Sequence, residues 1–460
     1  MAYIKLCFDI QEDKMKSKSI LIFYIVLNVL FSSIFVFANP QETSPIANEE
    51  QIADEISIDA KAYVLADLKT GKVLKSKNEN DKMYPASITK IMTAILALEN
   101  LTDFSEVVVA TEEAISPITM KHSHMGILTG EELTVENLLY GMLVYSANDA
   151  ANVLAVRIGG SLENFVLMMN QKATELGAAN TNYKNPHGFH DDQHYTTAHD
   201  VAIIAQYAMK NETFRKIVST DMYTIEPTNK YKEIRYLSST NHLMSRRRML
   251  DYYYGKTIGI KTGFTDEAGS CLAAAAKNGD TEILTVVLNC PNTYGEDGQN
   301  AFVQTRRLFD YAFDNFEYTT IAANGDVVSD SGVYEAKDNV RVALTPKYDI
   351  SSMLRKDIDK KQITSNKVLN EKIAAPIKKG DVLGTIEYSY QGEVLGNAEL
   401  IAVNDVKKDY IIATIHLIGK ILFNPIFIIA VILIVYIVIS SKIRRDKRRR
   451  KRRSRMKYVK

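Results

Sequence analysis

Cysteine is scarce in this chain: three residues in 460, at positions 7, 271 and 290. A disulfide-stapled scaffold is therefore excluded, because such folds need dense cysteine. No Gly-rich phosphate loop is present, which removes the usual mark of a nucleotide site. No internal repeat is found, so a solenoid or propeller is not indicated. Net charge is also small, at +1, but that figure averages unlike segments. Residues 441–460 carry 13 Lys and Arg against one Asp, and residues 1–38 carry four Lys against three acids. What remains holds 39 basic and 51 acidic residues, about −12. A mildly acidic body with a basic tail is not the charge pattern of a nucleic-acid binder, and no such partner is expected.

Two long apolar runs stand out, one near each end. Lys14, Lys16 and Lys18 precede the run at residues 20–37, which closes on Val36-Phe37-Ala38. This is the layout of a secretory signal over residues 1–38, cleaved after Ala38, with an uncleaved anchor as the alternative. Asp9, Glu12 and Asp13 are unusual ahead of such a run and make Met15 a second candidate start. Near the other end, residues 426–439 are unbroken apolar. Extended back toward Leu417, the run is long enough to cross a bilayer. The expected span is 418–440, after a linker at 409–417, with Lys420 snorkelling near the outer end. The basic tail at 441–460 follows at once, which places it in the cytoplasm and near anionic lipid. Cys271 and Cys290 then lie outside the cell in apolar strand-like runs. Two buried free thiols are expected, since a disulfide would need strand register to bring them together.

Between the ends the chain changes character twice. Residues 39–55 are polar and acidic and read as a flexible leader. Alternation over residues 60–67, a turn at Lys69-Thr70-Gly71 and renewed alternation over 73–77 predict a β-hairpin. Helical spacing follows over residues 88–98, 135–144, 150–158, 162–176 and 198–209, with a stop at Gly159-Gly160. Strand-like runs dominate residues 258–288, and residues 302–313 read as a closing helix. This order predicts an α+β domain over residues 56–316 whose sheet combines both ends of the segment. Short β-rich pieces at 340–344, 382–390 and 399–403, separated by polar turns, predict a second, all-β domain over 317–408.

The chemistry centres on Tyr84-Pro85-Ala86-Ser87-Ile88-Thr89-Lys90. Pro85 suits a helix entry, which sets Ser87 on a first turn and Lys90 on the same face. A serine hydroxyl needs a base, and a desolvated lysine can serve once its pKa has fallen. The helix N-terminus favours negative charge nearby. Ser-x-x-Lys alone is weak, since Ser454-Arg455-Met456-Lys457 in the tail also fits. Acyl transfer further needs a proton relay, a partner for the substrate backbone, a cation for a carboxylate and an oxyanion hole. Ser146-Ala147-Asn148, on a break between two helices, and Lys261-Thr262-Gly263-Phe264, in a strand-like run, come in the right order. Gly263 would let a substrate backbone approach the strand edge. Lys69-Thr70-Gly71, Ser239-Thr240-Asn241 and Ser76-Lys77-Asn78 match the same triplets, but in turn-like settings.

Together with Asn-Pro-His-Gly-Phe at 185–189 and Tyr-Thr-Thr-Ala-His-Asp at 195–200, these blocks closely resemble the low-molecular-mass penicillin-binding D-alanyl-D-alanine carboxypeptidases. The resemblance covers residues 56–316, with a weaker likeness to the family's C-terminal β domain over 317–408. Ala147 departs from the usual glycine and leaves Ser146 and Asn148 in place. The resemblance implies a serine β-lactamase/transpeptidase-like catalytic domain, with an antiparallel sheet and helices, needing no metal or other cofactor. It implies Ser87 as nucleophile, Lys90 as acylation base and Ser146 as relay. Asn148, Lys261, Thr262, Gly263 and Phe264 would bind the substrate, a peptidoglycan stem peptide. β-Lactams would be covalent inhibitors. Which group serves as acylation base is disputed in the wider superfamily. The enzyme would stand on the outer face of the bacterial cytoplasmic membrane.

Other readings are weaker. His187, His190, His194 and His199, with Asp191, Asp192 and Asp200, could supply metal ligands, yet their spacing is not that of a closed zinc set. His122 and His124 read as surface loop residues. A class A β-lactamase would carry Glu-x-x-Leu-Asn between the second and third motifs, and no such segment lies between Asn148 and Lys261. An endopeptidase with the same chemistry differs only in the outer subsites. A silent wall-binding or scaffold protein would not need the full set of catalytic side chains.

Overall fold

The computed structural model describes residues 56–119, 123–245, 249–294, 299–337 and 340–457, with side chains to residue 449. The expected signal at 1–38, the leader at 39–55 and His122 lie outside the described residues.

The chain opens with the predicted hairpin, β1 (Ala62–Asp67) and β2 (Val73–Lys77). Asp67 closes its turn by accepting from the Lys69 and Thr70 backbone N–H groups, so Lys69-Thr70-Gly71 is a turn, as its setting indicated. After a 3-10 turn at Ala86–Thr89 come α1 (Lys90–Asn100), β3 (Val107–Val109), α2 (Glu112–Ile115) and β4 (Glu132–Thr134). The helical middle continues with α3 (Val135–Leu143), α4 (Asn148–Gly159), α5 (Leu162–Glu175), α6 (Ala198–Ala208) and α7 (Glu212–Val218). Thr134, Ser161, Thr197 and Asn211 cap four of these helices with side-chain oxygens, each cap contributing roughly 1 kcal/mol. Gly160, at φ +75°, ends α4 in the left-handed conformation that glycine adopts without penalty.

A short ribbon, β5 (Met222–Ile225) and β6 (Arg235–Ser238), leads to β7 (Thr257–Thr265), β8 (Gly269–Asn278), β9 (Thr281–Cys290) and α8 (Ala301–Asn315). The main sheet has the order β2-β1-β9-β8-β7, antiparallel throughout. It joins the first and last strands of the segment, as the order of elements predicted. All six residues of β1 are buried, because period-two alternation divides them between two cores. Ala62, Val64 and Ala66 belong to the core that also holds Ile91, Met92 and Leu154, and α6 is the helix packed on this strand. Tyr63 and Leu65 face α8, with Leu308 and Phe309. Small residues at Ala273–Ala276 let both helical layers close on the sheet. Cys271 and Cys290 are buried and free, as expected from their strand positions.

β10 (Phe316–Ala322) begins where α8 ends, and pairs with β13 (Ile350–Arg355). Between them lie β11 (Ser329–Gly332) and β12 (Arg341–Pro346); β14 (Thr364–Leu369), β15 (Val382–Tyr390) and β16 (Glu393–Ala402) follow. The order β11-β12-β16-β15-β14 makes a five-stranded sheet over its own core of Val342, Leu344, Ile386 and Leu400. Phe316 and Met353 belong to the catalytic core instead, so the β10–β13 ribbon is where the β domain rests on the catalytic domain. Lys69 over the Tyr318 ring at 4.4 Å and the Lys72–Glu393 ion pair at 2.8 Å add contacts.

The C-terminal boundaries differ from expectation. The linker expected at 409–417 is helical from Tyr410: Asp409 caps α9 (Tyr410–Leu422), accepting from Ile411 and Ile412. The chain then breaks at Phe423-Asn424, and Asn424 caps α10 (Pro425–Lys457) with Pro425 as its first residue. A capping Asn followed by Pro is a restart signal, masked in sequence by continuous apolar character. Among the described residues one helical segment, Pro425–Arg449, is long and apolar enough to cross a membrane. Lys420 therefore sits in α9 and not at the head of that segment.

Candidate active site

Ser87 lies on the 3-10 turn rather than in the first α-helical turn, and α1 starts at Lys90. In a 3-10 turn residues i and i+3 eclipse, which brings the two side chains together without help from tertiary structure. The Lys90 Nζ donates to Ser87 Oγ at 2.8 Å and to the His187 carbonyl at 2.8 Å. Lys90 is fully buried. Burial pushes its pKa well down; nearby Lys261 lowers it further, and Asp149 opposes both. As neutral amine it keeps a donor on His187 and turns its lone pair to the Ser87 hydroxyl. Ala86, just before the serine, holds a left-handed φ of +47°.

The second group sits between α3 and α4. Ser146 has φ +70°, an uncommon conformation for a non-glycine residue that marks functional turns. Its Oγ accepts from Lys261 Nζ at 3.0 Å. Asn148 is the first residue of α4, and its buried Oδ1 has no hydrogen-bond partner among the described residues. An orphaned buried acceptor is costly unless a ligand N–H reaches it.

The third group runs along β7, an edge strand of the sheet. Lys261 is buried, and burial pulls its pKa down to about 7. It also donates to the Thr262 carbonyl at 3.1 Å. Thr262 Oγ1 pairs with Thr240 Oγ1 at 2.6 Å. A Cβ on Gly263 would stand 2.9 Å from the Pro85 carbonyl oxygen and 3.2 Å from the Ser87 nitrogen. The glycine is thus required by close approach of the serine turn, a neighbour that the sequence does not reveal. Phe264 follows at the rim, half exposed. Ser87, Ser146, Thr262, Gly263 and Phe264 share one cavity of about 260 Å³ with Ser123 and Thr240.

Two contributors escaped the sequence. Thr240 lies in a triplet whose setting reads as a turn; the pairing with Thr262 that brings it into the cavity spans 22 residues. The block at 185–189 carries no role in the sequence, and the structure gives one to the 185–194 segment. Gly188, at φ +85°, lies against the Ala86 carbonyl, where a Cβ would come within 1.7 Å. Thr93 Oγ1 donates to the Pro186 carbonyl at 2.5 Å. This segment supplies the carbonyl that orients Lys90. His194 accepts from Lys184 N–H through Nδ1 and so presents its Nε2–H to Thr89 Oγ1 at 2.9 Å; burial lowers its pKa to about 4. His190 faces Asp192 and Glu267 at 3.3 and 4.0 Å, and His199 faces Asp200 at 3.7 Å. His187 Nδ1 accepts from Phe189 N–H at 3.2 Å, so the four histidines serve separate contacts. His124 is half-buried.

A sheet covered by helices, with a serine–lysine pair joined across one cavity to a second such pair, defines a penicillin-binding-type serine enzyme. The D-alanyl-D-alanine carboxypeptidase family matches residues 48–292, and the penicillin-binding protein 5 C-terminal domain matches 316–408. The chain belongs to the D-alanyl-D-alanine carboxypeptidase family. It is 35% identical to the D-alanyl-D-alanine carboxypeptidase DacF of Bacillus subtilis over 85% of this chain and 94% of that protein. It is 29% identical to DacA of Haemophilus influenzae, over 76% and 86%. Among solved structures, penicillin-binding protein 5 of Haemophilus influenzae matches with TM-score 0.61 at 29% identity, over 77% of this chain and 99% of that one. PBP3 of Streptococcus pneumoniae, described as a peptidoglycan synthesis regulatory factor, matches with TM-score 0.64 at 26% identity, over 76% and 100%.

Proposed function

We propose that Ser87 is the nucleophile with which this D-alanyl-D-alanine carboxypeptidase removes the terminal D-alanine from peptidoglycan stem pentapeptides. The observation that carries the reading is the 2.8 Å contact between Ser87 Oγ and a fully buried Lys90 whose pKa is pushed down. Lys90, as amine, takes the serine proton while Ser87 attacks the carbonyl carbon of the penultimate D-alanine. The backbone N–H groups of Ser87 and Phe264 hold the oxyanion. Ser146, held by the Lys261 hydrogen bond, passes its proton to the departing amine, and the proton that Lys90 took from Ser87 replaces it. Lys261 and Thr262 bind the terminal carboxylate, a charge-assisted arrangement, and Asn148 Oδ1 accepts from the substrate amide. Water then hydrolyses the acyl-enzyme. β-Lactams would acylate the same serine.

The placement of the enzyme follows from its ends. The signal-like N-terminus would export the body, α10 would cross the membrane, and the basic tail would remain inside. Working domain limits are 56–316 for catalysis and 317–408 for the β domain. The purified protein should release free D-alanine from a pentapeptide ending in D-Ala-D-Ala. Cleavage of crosslinked dimers alone would make it an endopeptidase; neither reaction would leave the scaffold reading.

A further inference from the structure

Residues 123–128 run without regular secondary structure beside the catalytic cavity, which Ser123 lines. Such a stretch has no ladder for its backbone groups, so each needs another partner. Asp149, the second residue of α4, supplies one side. Its Oδ1 accepts from Met125 N–H at 3.2 Å and its Oδ2 from Ile127 N–H at 2.9 Å. Arg235 of β6 supplies the other, donating to the Met125 carbonyl at 3.0 Å and the Gly126 carbonyl at 3.1 Å. The same guanidinium grips Glu131 at 2.7 and 3.0 Å. Asn148 N–H donates to the Ser123 carbonyl at 2.8 Å. Asp149 is only 2% exposed, a costly location for a carboxylate unless N–H groups surround it.

We propose that Asp149 is a positioning residue for acyl transfer: its carboxylate ties residues 123–128 to the first turn of α4 and so fixes the cavity wall facing Ser146 and Asn148. This rests on the reading of Ser87 and Lys90 as nucleophile and base. Asp149 touches no reacting atom and acts through the segment it holds. It has a second effect that a purely mechanical tie lacks, because its charge reaches Lys90. Lys90 is faced by Lys261 from β7, by Asp149 from α4, and by the His187 carbonyl from the 185–194 segment, with the neutral His194 ring one residue away on Thr89. Asp149 is therefore the carboxylate that holds the base's pKa up against burial and Lys261. Asparagine in its place removes that charge and turns an N–H₂ donor toward a backbone N–H, so the segment loosens and the base titrates lower.

The test is the second-order rate of acylation by a fluorescent penicillin across the pH range, in the full-length membrane protein, for wild type, Asp149→Asn and Arg235→Lys. Rates are taken per labelled site, so a misfolded fraction lowers amplitude and not rate. Asp149→Asn should acylate about 10-fold or more slowly at its optimum, the scale expected for a slightly misplaced site, and its acid limb should move to lower pH. Arg235→Lys loosens the same segment without touching the charge at Lys90, so it should slow acylation and leave the limb in place. A wild-type rate in Asp149→Asn, or an unmoved limb, overturns the proposal. If Asp149→Asn yields no labelled sites, Arg235→Lys decides, and a wild-type rate there overturns it too. A wild-type protein that labels without an acid limb overturns the serine–lysine reading, and this proposal with it.

Discussion

Lys261 and Ser146, 115 residues apart in sequence, are joined by a 3.0 Å hydrogen bond across the catalytic cavity. The bond connects the loop before α4 to the edge strand β7, and it gives the cavity two lysines with different work. In the proposed mechanism Lys90 loses its proton to act as base, and Lys261 keeps its own to hold a carboxylate.

These demands fix a pH dependence. kcat/KM should rise through the lowered pKa of Lys90 and fall above about 7, where burial leaves Lys261 uncharged. In the proposed mechanism Lys261 binds the carboxylate as ammonium below that value and loses its hold above it. An arginine stays charged, so Lys261→Arg should lose the alkaline fall, at a lower maximum because its planar group fits Ser146 poorly. Retention of the fall in that variant would assign it to another group.

Thr240 should act on binding. Its hydroxyl meets that of Thr262 at 2.6 Å, so Thr240→Val leaves Thr262 without its partner. At about 1 kcal/mol for a hydrogen bond, KM for the pentapeptide should rise about five-fold with kcat little changed. Steady-state kinetics of D-alanine release measures both.

Gly263→Ala probes the approach of β7 to the serine turn. The added Cβ would sit 2.9 Å from the Pro85 carbonyl oxygen, so either the strand or the turn must yield. A displacement of this kind costs on the order of 100-fold in rate. Penicillin acylation should fall accordingly, and a wild-type rate would show that the turn accommodates the methyl.

His194 makes stability depend on pH. Its folded pKa, about 4, is depressed from 6.5 by burial, so the unfolded chain binds a proton that the folded chain refuses. The contribution is intact above pH 6.5 and is lost as pH falls toward 4. His194→Gln cannot take up that proton, so its melting temperature should decline less over that interval than that of wild type.

The catalytic motifs were legible because each is local. Ser87 and Lys90 share one turn, Ser146 and Asn148 one helix entry, and Lys261 to Phe264 one strand. The join of β1 to β9 was legible as an order of elements, though not its register, which depends on how both faces are covered. Thr240 was not legible, since only the pairing of its hydroxyl with β7 makes it part of the site. Nor was β14, whose residues are mostly exposed and so carry little apolar alternation. The division of the C-terminal run into α9 and α10 was written in Asn424-Pro425, but unbroken hydropathy outweighed the cap. Gly263 was legible as a place of close backbone approach, but the sequence does not show that the turn at residues 85–87 is one of the backbones that comes close.

The most direct test of the account is covalent labelling by a fluorescent penicillin, with and without Ser87. Wild type should take up one label per chain, and Ser87→Ala should take up none while melting as wild type does. Equal labelling of Ser87→Ala, or an unlabelled wild type, would contradict the assignment of Ser87 as the acylated serine.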